Sequence, residues 1–244
     1  MSAWAAGLWG GFAACSLLLG AFIALRFSLS NRVTGVIMGF GAGALISSIA
    51  YELVPESSLA GTGRSSAIAF AAGALTFFLA DWAIDRSGGE HRKRLEGSQG
   101  DGSGAAIFLG TLLDGVPESL ILGIGLATGG AISIAFLTAV FVSNLPEGIA
   151  GTRALLSAGH TSRHVMGMWS ALVAASAVAA AGGYAFVRSV PAVDGRYARA
   201  FAAGAVLTML ADVMMPEAFE HGGKIVGLLA TLGYLTAAIL SVME

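Results

Sequence analysis

The chain has 244 residues, 56% of them hydrophobic and 11% charged, with a mean hydropathy of +0.79. Soluble domains carry about 25% charged residues, so this composition excludes a soluble globular enzyme and a disordered chain. Thirteen Lys and Arg against fifteen Asp and Glu leave a net charge of −2, which excludes the polycationic surface of a nucleic-acid binder.

A helix needs about 20 apolar residues to cross the hydrocarbon core of a bilayer. Runs bounded by charges, Pro/Gly clusters and polar turns predict eight spans at about 4–26, 33–55, 66–85, 104–127, 131–156, 165–187, 199–219 and 223–243. These runs are too long and unbroken for the alternating segments of an outer-membrane barrel. The first is read as a span, since no basic residue precedes it and no small-residue cleavage site follows. The expected fold is therefore an all-α membrane protein, one integral domain over 1–244. Its one extended polar loop is 86–103, RSGGEHRKRLEGSQGDGS. The single cysteine, Cys15, lies within an apolar run and excludes an intramolecular disulfide or a cysteine metal cluster.

Lys/Arg asymmetry sets the expected orientation. With the N-terminus outside, the inside loops hold nine cations: Arg26, Arg32, Arg86, Arg92, Lys93, Arg94, Arg153, Arg163 and Lys224. The outside loops hold four: Arg64, Arg188, Arg196 and Arg199. Both termini are expected outside the cytoplasm and loop 86–103 within it, in a multi-pass plasma (inner) membrane protein.

Spans two and seven resemble each other. FGAGALISSIAYELVPE (Phe40–Glu56) aligns without gaps on FAAGAVLTMLADVMMPE (Phe201–Glu217) at an offset of 161, and FAAGALTFFLAD (Phe70–Asp81) is a weaker echo. Spans four and five share a Pro-Glu step, in DGVPES (Asp114–Ser119) and SNLPEG (Ser143–Gly148), at an offset of 29. The expected arrangement is 3+2+3, with inverted three-span repeats around a central pair, a pattern found in transporters.

Ionisable residues within spans cost roughly 2.5–3.5 kcal/mol each at mid-helix on insertion scales. Asp114 and Glu118 lie mid-span four, Glu147 lies in span five, and Glu52 and Asp212 lie deep in spans two and seven. Glu56, Asp81, Glu217 and Glu220 lie nearer span ends. Asp114 and Glu118 stand at i, i+4 and share one helix face, which Thr111 extends; Asn144 and Glu147 share a face at i, i+3. Pro117 and Pro146 lack an N–H and crowd the preceding turn, freeing the carbonyls of Leu113 and Val142 beside these acids. Gly115, Ser119, Ser143 and Gly148 are expected to let the two helices approach closely. Neither helix centre offers a Lys or Arg partner, so protons or cations must neutralise the three carboxylates. A divalent ion offsets two charges and coordinates the oxygens. Gly35, Gly39 and Gly43 read as a helix-packing face. His91, His160, His164 and His221 lie in or beside loops and read as surface residues; a Glu217–Glu220–His221 cluster stays open as a shallow entry or exit point.

At these residues the chain resembles the Zrt/Irt-like (ZIP) family of divalent metal transporters. That family's fourth helix typically reads His-Asn-x-Pro-Glu-Gly, and its fifth carries His/Gln-Asn/Asp-x-Pro-Glu-Gly. Here Asp114 stands at the first histidine position, Gly115 at the asparagine, and Ser143 at the histidine or glutamine of the fifth helix. Glu118, Asn144 and Glu147 match in ligand type. The resemblance implies a divalent-cation transporter, not an enzyme, working by alternating access through a site between spans four and five. Its metal ligands would be Asp114, Glu118, Asn144, Glu147 and Ser143. The resemblance implies zinc, with manganese or iron as further candidates, and the all-oxygen ligand set shifts weight toward harder ions. Span six (165–187) has no acid to complete a two-metal centre, so one main ion is expected. The metal is cargo, and no tightly bound cofactor is expected. The partners are the cation and the lipid bilayer, without nucleic acid, and a homodimer stays open. A metal-binding sensor or non-transporting homologue, an intramembrane hydrolase built on paired carboxylates, and a proton-coupled carrier of an organic solute are the alternatives.

Overall fold

The computed structural model describes residues 2–54, 63–86, 104–128, 132–190 and 195–244. Among the described residues the protein is all-helical, with eight helices long and apolar enough to cross a membrane. They are α1 (Ala3–Arg26), α2 (Asn31–Ser48, continued by a π-helical turn over Ile49–Leu53), α3 (Gly63–Ile84) and α4 (Gly104–Ala127). After them come α5 (Ile134–Ser157), α6 (Ser162–Ser189), α7 and α8 (Ile225–Met243). Helix α7 runs through Gly195–Met209, a π-helical turn at Leu210–Met214, and Met215–Gly222. Each lies within a few residues of its predicted span. Most of the predicted loop, 87–103 with His91, falls outside the described residues, as do Pro55 and Glu56 at the end of the repeat in span two.

Hydroxyl side chains start four of the helices. Ser2, Ser30, Ser133 and Thr161 accept hydrogen bonds from the backbone N–H groups of Ala5, Val33, Phe136 and His164, at 3.0–3.3 Å. Each satisfies one of the donors that the first helical turn cannot pair internally. At its far end α7 stops on Gly223, whose φ of +69° few residues other than glycine adopt readily.

Four helices, α2, α4, α5 and α7, form the interior. A continuous apolar core runs through Met38, Leu45, Ile121, Phe136, Val140 and Met209. Helices α1, α3, α6 and α8 pack outside them and turn large side chains such as Leu8, Phe78, Val178 and Leu228 outward. The crossings between these groups depend on glycine. A Cβ at Gly43 of α2 would strike the carbonyl of Ala230 in α8, and one at Gly233 of α8 would strike that of Phe40. In the other half, a Cβ at Gly204 of α7 would strike the carbonyl of Phe70 in α3, and one at Gly73 would strike that of Phe201. These contacts correspond residue for residue under the 160–161 shift that aligns the sequences, and the two π-helical turns correspond under it too.

Gly35, Gly39 and Gly43 form the packing face read from sequence. They meet Gly222 with Ala218, Val226, and Ala230, respectively. The small residues near the two Pro-Glu steps behave differently from expectation. Gly148 lies against Leu17 of α1, Ser143 against Gly41 of α2, and Ser176 of α6 is what a Cβ on Gly115 would meet. They bring α4 and α5 close to other helices rather than to each other, because each central helix is wedged between an outer and an inner neighbour. Packing register separates the two Pro-Glu steps as well. Leu120 and Gly123 of α4 meet α6 as Leu145 and Gly148 of α5 meet α1, a shift of 25 residues rather than 29. Pro117 thus precedes its helix's contact carbonyl by three residues, whereas Pro146 follows its own by one.

Candidate metal site between the central helices

The acids singled out on α4 and α5 lie in the interior. Asp114 is 1% exposed, Glu118 2% and Glu147 5%, and Thr111, Ser119, Ser143 and Asn144 are buried beside them. Both prolines sit inside continuous helices. The hydroxyls are oriented by their own helices: Thr111 donates to the carbonyl of Ile107 at 3.1 Å and Ser143 to that of Val140 at 2.9 Å. With their protons turned back along the helix, the lone pairs of both oxygens are left to face outward as acceptors. This stretch of the bundle therefore combines carboxylates, an amide and hydroxyl oxygens in a setting nearly closed to solvent. It suits a cation and opposes an anion.

The acids do not gather as tightly as their sequence positions suggested. Among the described residues, no three His, Cys, Asp or Glu side chains form a group that could hold a metal ion. The displaced registers of the two Pro-Glu steps accompany this spacing. Asn144 and the hydroxyls of Thr111, Ser119 and Ser143 are neutral oxygen groups buried on the same two helices.

One turn further along α4, sequence reading missed a second polar region. A cavity of about 250 Å³ is walled by Ile121, Leu122, Phe136 and Leu53 and carries Glu52, Ser133, Arg199 and Glu244 at its polar side. Ile121 and Leu122 follow Glu118 by three and four residues, so they lie on its face of the helix. The carboxylate of Glu52 accepts hydrogen bonds from Ser241 at 2.7 Å and from Ser133. That of Glu244 accepts from the backbone N–H of Ala135 at 2.8 Å. Both acids thus meet the start of α5, where the helix dipole favours negative charge. The Arg199 guanidinium donates to Thr128 and is itself buried.

The two acids read as deep in spans two and seven differ in their settings. Glu52 lies at the cavity, level with the ends of α5 and α8: its carboxylate bonds to Ser133, which caps α5, and to Ser241 in the last turn of α8. Asp212 lies well inside α7, within the π-helical turn at Leu210–Met214, and is exposed rather than buried in the interior. At the other end of α7, His221 Nδ1 lies 3.0 Å from the carbonyl of Glu217 and 3.9 Å from its carboxylate. Glu217 is buried while Glu220 is exposed, so no joint cluster of the three faces one opening. Ser241 and Glu244 gave no sequence signal: they become partners of α2 and α5 only when α8 folds back across them.

No family model matches the chain. It is 27% identical over 213 residues to an Arabidopsis thaliana protein described as "Putative zinc transporter". The alignment covers 83% of this chain and 33% of that protein, so the chain spans about a third of the length of the relative it matches. Eight membrane-capable helices make this a multi-pass membrane protein, with a distant likeness to that one relative.

Proposed function

We propose that the protein carries divalent metal cations across a membrane, through the carboxylate-lined centre of the α4–α5 region. The observation that carries this reading is the burial of Asp114, Glu118 and Glu147 at the heart of an apolar bundle. Buried carboxylates supply negative charge and oxygen ligands that favour a cation over an anion, and a mobile cation engages them while passing. Asp114, Glu118 and Glu147 act as charged ligands, with Asn144 and Ser143 as neutral ones and Thr111 in support. In this reading a bound cation draws the ligands closer together than they stand here.

Access is alternating. The matched packing of α2 on α8 and of α7 on α3 supports paired three-helix repeats, in the 3+2+3 arrangement, that rock about the central pair. The cavity bearing Glu52 and Glu244 provides the approach from one face. Its apolar floor at Ile121, Leu122 and Phe136 closes the path one turn before Glu118. The Lys/Arg asymmetry favours that face outward and both termini outside the cytoplasm; the membrane in this reading is the plasma (inner) membrane. Zinc is the cation named for the relative; the oxygen ligands suit manganese or iron as well, and competition between these ions ranks them.

The test is metal uptake into proteoliposomes. The intact protein accumulates zinc, manganese or iron, and Glu118→Ala and Glu147→Ala each abolish the accumulation while remaining folded. Undiminished uptake by both variants would overturn the site. Metal binding by the intact protein without flux would instead favour a sensor, the reading that the missing motif histidines recommend.

A further inference from the structure

At the end of the bundle remote from the Glu52 cavity, three basic side chains converge beside a groove, and nothing in the transport reading uses them. Arg153 establishes which end this is: it donates to Asn31 Oδ1 at 3.2 Å and to the carbonyl of Leu29, tying the end of α5 to the α1–α2 connection. Helix α5 then closes with Gly159 at a φ of +87°. The N–H of His160 bonds back to the carbonyl of Leu155 and that of Gly159 to the carbonyl of Leu156. This pair of bonds is a Schellman motif, which fixes the residue after the glycine in place. Four residues on, the N–H of His164 is held by the Thr161 side chain that caps α6. The two imidazoles are consequently stacked, with centroids 4.9 Å apart and planes 13° from parallel.

Beside the imidazoles and Arg163 opens a groove of about 600 Å³ between α4 and α6. Its remaining walls are small or apolar: Ala105, Phe108, Gly167, Met168 and Ala171. Three features of the polar end favour an anion. Arg163 carries a fixed charge. Each imidazole of the stacked pair carries a ring N–H able to donate to an oxyanion. The first N–H groups of α6 have no acceptor within the helix and carry its positive dipole end. The apolar walls favour a hydrocarbon chain. An oxyanion continuous with a hydrocarbon chain, at the end of membrane-crossing helices, is an anionic phospholipid, and basic pockets between such helices bind these headgroups.

We infer that the groove between α4 and α6 is a binding site for an anionic phospholipid. Its phosphate contacts Arg163, His160 and His164, and an acyl chain lies along Phe108, Gly167 and Met168. The site needs neither the central acids nor metal transport, so it stands or falls separately from the transport reading.

The experiment reconstitutes the full chain in nanodiscs of phosphatidylcholine with a minority of phosphatidylglycerol. The lipid retained by the protein after detergent extraction is then counted by native mass spectrometry. Retained phosphatidylglycerol is expected to be enriched about fivefold over the bulk ratio. The enrichment disappears in the combined variant His160→Ala, Arg163→Gln, His164→Ala and persists in Arg188→Gln at the opposite end. A second variant, Gly167→Phe, keeps every basic group. A Cβ there meets nothing within 4 Å, so the ring enters the groove without straining the helix and displaces the acyl chain; enrichment falls again. Equal retention of the two lipids, or enrichment that survives either variant, would overturn the proposal. So would inorganic phosphate stabilising the lipid-stripped protein as strongly as phosphatidylglycerol does, because the site would then need no hydrocarbon chain.

Discussion

The four inner helices and the four outer ones are built for different solvents. In α2, α4, α5 and α7, between 56% and 72% of the most apolar stretch is buried; in α1, α3, α6 and α8 the share is 17–39%. Of the buried acids among the described residues, Asp114, Glu118, Glu147 and Glu217 are on inner helices and Asp81 is on outer helix α3, whereas the outer helices present mainly Leu, Val, Phe and Trp at their surfaces. Inner helices tolerate polar side chains because protein, not lipid, covers them, and an ionised group facing hydrocarbon costs several kcal/mol. Outer helices face lipid tails as apolar as themselves and gain little from apolar burial. Close backbone approach at glycine is what joins the two groups.

The largest effect should come from breaking that seam. Gly43→Leu and Gly204→Leu each push a side chain into the carbonyl of an outer helix and are expected to eliminate monodisperse protein in size-exclusion chromatography. Gly182→Leu, on a surface where an added Cβ meets nothing within 4 Å, should leave the profile unchanged. Equal behaviour of the three would show that glycine is not what holds the seam.

A smaller effect is expected where an inner helix meets an outer one through a polar contact. Buried Trp169 of α6 donates from Nε1 to Thr152 of α5 at 2.8 Å. Thr152→Val keeps the shape and removes the acceptor, leaving a buried N–H unsatisfied at a cost of about 1–3 kcal/mol. A lowered thermal unfolding midpoint checks this. Smaller still is Ser241→Ala. It removes one of the two hydroxyls that hold Glu52 at the cavity, at about 1 kcal/mol. Because that acid lies on the approach route rather than at the central site, apparent affinity for metal in uptake should weaken while maximal rate holds. A fall in maximal rate alone would assign Glu52 a different part.

The inner and outer groups were unequally legible in the sequence. Long apolar runs between charged or Gly/Pro boundaries located all eight helices, since a segment that crosses a bilayer must be predominantly apolar. The burial of Asp114, Glu118 and Glu147 was legible as well, because charge at mid-span has few other places to go. Packing register was not. Pro117 and Pro146 look equivalent in a one-dimensional alignment, yet Leu120 and Leu145 are the positions that meet outer helices in the same way. The local signal of a Pro-Glu step carries no information about the neighbour a helix chooses. Glu52 shows the same limit: its partners Ser133 and Ser241 come from helices far along the chain, and a π-helical turn sets the direction of its side chain. An added residue in a helical turn, as at Leu210–Met214 where Asp212 lies exposed, leaves no mark in hydrophobic periodicity.

The central claim is that the acids on α4 and α5 are balanced by a divalent cation. Elemental analysis of the purified protein, after equilibration with zinc, manganese and iron and removal of free metal, tests it most directly. The account predicts about one bound divalent ion per chain, lost in the Glu118→Gln/Glu147→Gln double variant, which preserves shape while removing charge. Retention of the full metal content by a folded double variant would contradict it.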